Sequence, residues 1–98
     1  MNIVKTHKEG NKLEVKLNNA FNLTARNKLE NRLPKEITHL QIDLSDCRLV
    51  DSEGVIFMFE WQNTGNTLEL INPPDILFEI IEILELREHW NATITETN

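Results

Sequence analysis

The sequence predicts an α/β domain: a mixed sheet of four to five strands, opened by a hairpin and carrying about three helices. Three observations lead there. Apolar and polar residues alternate with period two at Leu13, Val15, Leu17 and again at Leu40, Ile42, Leu44, as half-buried strands do. Between and after them lie segments of helical periodicity, so that strand and helix alternate and demand crossovers between mostly parallel strands. Finally, 98 residues with 40% apolar content and no linker, repeat or low-complexity block suffice for one core and one domain, residues 1–98.

Taken in order, residues 3–6 read as a first strand, and the Glu9-Gly10-Asn11 turn returns the chain through a second over 13–17. Asn22 is placed to cap a helix over 23–33, with Ala25, Leu29 and Leu33 on one stripe and Pro34 ending it. That helix is otherwise polar and is assigned to an edge or loop end of the sheet. A third strand over 40–44 ends at Ser45-Asp46. Ser52 then stands at the start of an almost wholly apolar second helix, 52–62, which stops in the Asn63-Thr64-Gly65-Asn66 turn. A fourth strand covers 67–71. Asn72-Pro73-Pro74 breaks it, Pro74 suits the first position of a third helix over 75–87, and 93–95 adds a short last strand.

On the third helix, Asp75, Glu79, Glu82 and Glu85 group on one side, and Ile76, Leu77, Ile80, Ile81, Ile83 and Leu84 fill the opposite arc. Helices two and three should therefore cover one face of the sheet, with Phe78 and Leu86 left partly exposed.

Charge divides the chain. Residues 1–50 hold nine Lys/Arg against six Asp/Glu, a net +3, whereas residues 51–98 hold Arg87 alone against ten acids, a net −9. An acidic half without clustered Lys and Arg does not suit a phosphate backbone, so nucleic acid is not expected and a basic protein patch is. The single Cys47 cannot close an internal disulfide, and no signal peptide or membrane-length apolar run is visible, so a cytoplasmic protein without direct membrane insertion is expected.

Enzyme chemistry finds little support. No glycine-rich phosphate loop is present, and His7, His39 and His89 fall on different elements without metal-ligand spacing. Glu79, Glu82 and Glu85 read more simply as a solvated face than as a metal site. Asp46 and Asp51 form only a weak Mg²⁺ candidate, and Cys47, where a helix N-terminus could lower its pKa, reads as a bystander. No cofactor is expected. A metal- or nucleotide-binding enzyme is kept as a distant alternative. The run Asp51-Ser52-Glu53-Gly54 carries the remaining signal: a helix start favours anions, so Ser52 reads both as an N-cap and as a phosphate carrier.

The order D-L-S-D-C-R-L-V-D-S-E-G-V, an apolar helix, a turn at N-T-G-N, T-L-E-L-I-N-P-P and I-L-F-E-I-I-E-I-L-E-L resembles the STAS family. That family includes bacterial anti-sigma-factor antagonists and the C-terminal domains of sulfate transporters. The resemblance covers essentially the whole chain and implies a STAS-like fold. It also implies a non-catalytic regulatory domain that binds a partner through the start of helix two. In antagonist members the hydroxyl residue after the Asp is phosphorylated by an anti-sigma serine kinase; the matching residue is Ser52, after Asp51, and Gly54 matches the family glycine. Glu53 departs from the usual Ser or Thr. Around this position Asp51, Ser52, Glu53, Gly54, Ile56 and Phe57 form the expected partner surface. The alternative within the family is the small STAS subunit that docks on the ATPase of bacterial lipid-transporting ABC complexes.

Overall fold

The computed structural model describes residues 3–97. The chain runs β1 (Ile3–Glu9), β2 (Lys12–Phe21), α1 (Leu23–Arg32), β3 (His39–Val50), α2 (Ser52–Asn63), β4 (Thr67–Ile71), α3 (Asp75–Ile83), a 3₁₀ turn (Arg87–His89) and β5 (Thr93–Thr95). The five strands lie side by side in sequence order. β1 and β2 pair antiparallel as a hairpin, and every later pairing is parallel.

The alternation seen in the sequence sorts the two faces. Leu13, Val15 and Leu17, Leu40, Ile42 and Leu44, and Leu68 and Leu70 are buried, whereas Lys12, Glu14, Lys16, Gln41, Asp43 and Glu69 on the opposite face are partly exposed. Each large aliphatic side chain fully removed from water contributes about 2 kcal/mol, so the register is held strongly. A one-residue slip would turn the whole set outward. Helices α1, α2 and α3 cover the buried face. α1 packs on α2 and on β2 as well as on the edge strand β1, so it belongs to the same layer as the other two and does not merely cap an edge.

β3 is longer than expected. The pairing Lys16↔Asp43 is followed by Asn18↔Asp46, and Asn19↔Cys47 by Ala20↔Leu49, so β3 carries two bulges against β2. Each bulge inserts one residue, and the inward positions recur every third residue at Leu44, Cys47 and Val50. The loss of period two, which reads as a turn at Ser45-Asp46, is a bulged strand. β2 lengthens with it to Phe21, and Asn19 takes the left-handed conformation at φ 64° beside the second bulge.

α3 is shorter than the periodicity suggests, ending at Ile83. Glu85 turns left-handed at φ 59°, its N–H donates to the Glu82 carbonyl at 3.0 Å, and the Leu86 N–H donates to the Ile81 carbonyl at 3.0 Å. This is a Schellman closure. It brings Leu86 back against the core and leaves Ile83 75% exposed and Leu84 at the surface, so neither completes the buried arc assigned to it. Phe78 is also exposed, as expected, at 39%. Pro74 sits one position earlier than its predicted place, as the N-cap, with Asp75 first in the helix.

Candidate functional site

The mouth of α2 is built from β2 upward. Phe21, the last residue of β2, is fully buried, and its carbonyl accepts the Asp51 N–H at 3.1 Å, tying the end of one strand to the start of the helix. Asp51 then caps α2: its Oδ1 accepts the N–H groups of Glu53 at 3.0 Å and Gly54 at 3.2 Å. Two of the donors that a helix start leaves without an intrahelical partner are thereby satisfied. The cap is Asp51, and the expectation that Ser52 caps the helix is corrected. Ser52 is the first helical residue and is exposed.

Gly54 is buried against Phe21. A Cβ there would meet the Phe21 carbonyl oxygen at 2.6 Å and Cγ of its ring at 2.9 Å. Its place in the motif is a matter of closeness between α2 and β2, and it supports the surface from beneath. Phe57 is also corrected: it is 5% exposed and packs its ring on Phe21 with centroids 5.9 Å apart, a core contact and not an outward one. Ile56 is half-buried on the outer side, one turn above Ser52.

Glu53 is not a loose charge beside Ser52. Arg26, from α1, has a side chain only 19% exposed and reaches three carboxylates: Glu30 through Nε at 3.4 Å, Glu53 through Nη1 at 3.3 Å and Glu60 through Nη2 at 2.8 Å. The guanidinium fork suits such multiple contacts. It joins α1 to α2 and draws the Glu53 carboxylate toward α1. Neither Phe21 nor Arg26 stands out in the sequence. Phe21 ends an expected loop and Arg26 lies on a polar helix, and only tertiary proximity gives them their parts.

Cys47 lies buried in the bulged half of β3, where burial first, then the charges of Asp46 and Asp43, push its thiol up to about 11. The lowering expected from a nearby helix start is reversed, and at neutral pH the group is a protonated, poorly nucleophilic thiol. Among the described residues no group of three or more His, Cys, Asp or Glu side chains could hold a metal ion. Glu82 is held by Arg87. None of the described helices is long and apolar enough to cross a membrane.

A hairpin-led, otherwise parallel five-stranded sheet in sequence order, with three helices on one face and an Asp-capped helix after β3, is the fold that the resemblance to STAS domains implies. The structure of the anti-sigma factor antagonist SpoIIAA in its unphosphorylated form matches with a TM-score of 0.68 at 12% identity, over 96% of this chain and 88% of that one. The NMR structure of the protein TM1081 matches with a TM-score of 0.63 at 14% identity, over 92% and 79% respectively. No protein-family model matches the sequence, and no curated protein matches it. At these identities the likeness is one of fold.

Proposed function

We propose that the chain is a non-catalytic, cytoplasmic regulatory module that docks a partner protein through the mouth of α2, and that phosphorylation of Ser52 ends the contact, in the manner of an anti-sigma factor antagonist. The observation that carries this reading is the division of labour at the helix start. Asp51 holds the cap, so Ser52 stands exposed with no structural duty there. A phosphate on it would add about −1.5 to −2 charges at the favourable end of the helix dipole without disturbing the cap. Asp51, Glu53 and Ile56 border the hydroxyl and would share the docked surface, while Gly54 and Phe57 set its shape from within.

The test is to treat the protein with the serine kinases of its own cell, map modification by mass spectrometry, and compare partners retained by wild type, Ser52→Ala and Ser52→Asp. Phosphate at Ser52, with the partner held by wild type and Ser52→Ala and lost by Ser52→Asp, is the expected result. A Ser52 that stays unmodified in cells and in vitro, with Ser52→Asp retaining the partner, removes the switch. Retention of an ABC ATPase would instead assign the chain to a transporter complex as its small STAS subunit.

A further inference from the structure

The outward side of α3 carries two parallel stripes. Asp75, Glu79 and Glu82 recur at i, i+4 and i+7, and beside them Ile76, Ile80 and Ile83 recur at the same spacing. On a helix each set forms one line along the axis. The apolar line starts half-buried against the core at Ile76 and Ile80 and runs out into solvent at Ile83, 75% exposed, with Leu84 next to it. Phe78, 39% exposed, flanks the acidic line on its other side. Residues 75–88 hold five acids and one base, a net −4.

We infer that this face of α3 is a second docking surface, separate from the mouth of α2, and that its occupant is a basic amphipathic helix of a partner protein. In the helix-on-helix mode of peptide recognition, such a helix lays apolar side chains along the Ile76, Ile80, Ile83 line and aligns Lys or Arg with Asp75 and Glu79, Glu82 being already held by Arg87. The charge selects this occupant over two others. A second copy of the chain would bring a like-charged line against its twin, and an anionic lipid surface would be repelled by the same residues. Ile83 contributes almost nothing to the core, so its exposure reflects no packing need of the fold.

The probe is an 18-residue synthetic helix of Leu and Lys in amphipathic pattern, titrated into the ¹⁵N-labelled full chain and compared with the same pattern in Leu and Glu and in Ser and Lys. The expected result is chemical-shift change centred on α3, with the Leu/Lys peptide bound at least about 10-fold more tightly than either comparison. Ile83→Ser and Glu79→Lys should each weaken it by about 10-fold, equivalent to about 1.4 kcal/mol. Both positions are exposed, and thermal melts would show the variants folded. Ser52→Asp should leave the affinity within about twofold, since the two surfaces are separate; this keeps the outcome independent of any switch at Ser52. Equal binding of all three peptides, or shifts centred at the α2 mouth, overturns the inference. So does co-sedimentation with phosphatidylglycerol vesicles, which would make the face a membrane contact, or self-association abolished by Ile83→Ser, which would make it a dimer contact.

Discussion

Helices α2 and α3 follow the two central parallel strands on the same side of the sheet, yet their ends are secured in opposite ways. α2 begins with the double cap from Asp51, is pressed against Phe21 at Gly54, and closes through Gly65, whose φ of 86° suits glycine. α3 begins at Pro74 without a side-chain cap, and closes through Glu85, a residue with a Cβ in a left-handed conformation. One helix is anchored at the end where the phosphorylation of Ser52 is proposed, and the other leaves apolar side chains in solvent. The contrast teaches that, in a small domain, a surface meant to hold its geometry is set over a close backbone contact. The surface proposed to receive another helix is built from an end that the core does not claim.

The strongest way to break this contrast is Gly54→Ala. The added methyl would sit 2.6 Å from the Phe21 carbonyl oxygen and 2.9 Å from its ring, and backbone cannot move aside as a flexible side chain does. Overpacking of this kind costs about 3 kcal/mol, which in a domain of this size lowers the melting temperature by roughly 15 °C. Calorimetry checks it. In a Phe21→Ala background the Cγ contact is gone while the carbonyl contact stays, so Gly54→Ala should cost less there than in the wild type without becoming neutral; full stability in the single variant would mean that α2 is not pressed on β2.

Asp51→Ala should follow, at about 1 kcal/mol, because two N–H groups lose their acceptor. Urea denaturation measures it, and the expected change is a lower midpoint with an unchanged slope. A loss under about 0.3 kcal/mol would show that water serves those donors equally well.

The strand alternation and the order of elements were legible because period-two burial needs only local sequence. Residues 40–44 and 67–71 show it plainly, and β4 (Thr67–Ile71) was placed at its observed bounds. The second half of β3 was not legible, since bulges replace period two with spacings of three that no single strand announces. The end of α3 was hidden in the same way: Glu85 stands where a Schellman closure usually has glycine, and helical periodicity continues past it. At the α2 mouth, Asp51, Ser52 and Gly54 were legible as a motif. The cap could not be allotted between Asp51 and Ser52, which both favour that position. Phe57 looked available because the helix is apolar on nearly every side, and only the arrival of Phe21 beneath it decides which side is in.

Glu85→Gly sharpens the other half of the comparison. If the left-handed φ of 59° at this position is a real expense of closing α3, glycine should remove it and raise stability by somewhat under about 1 kcal/mol. The gain is partly offset because glycine also enlarges the freedom of the unfolded chain. A rise in the denaturation midpoint is expected. A fall would mean that the Glu85 side chain contributes more than its backbone conformation costs.

The smallest effect is the one that bears most on function. Ser52→Ala should change stability by less than about 0.5 kcal/mol, the range of an exposed substitution, because the cap is formed by Asp51 and the Ser52 side chain is not part of it. Had Ser52 been the cap, alanine would cost about 1 kcal/mol, so the pair Asp51→Ala and Ser52→Ala, measured under one set of conditions, separates the two assignments by their ratio. Ser52→Asp extends the series: a carboxylate in the first turn gains up to about 1 kcal/mol from the helix dipole, reduced by repulsion from Asp51 and Glu53. The latter is weakened where Arg26 holds Glu53 at 3.3 Å. If Arg26→Gln makes Ser52→Asp less favourable, the guanidinium is what leaves room for a second negative charge beside Glu53. If Arg26→Gln leaves the Ser52→Asp effect unchanged, the neighbouring carboxylate is too well solvated to matter, and a phosphate at Ser52 would meet the helix start alone.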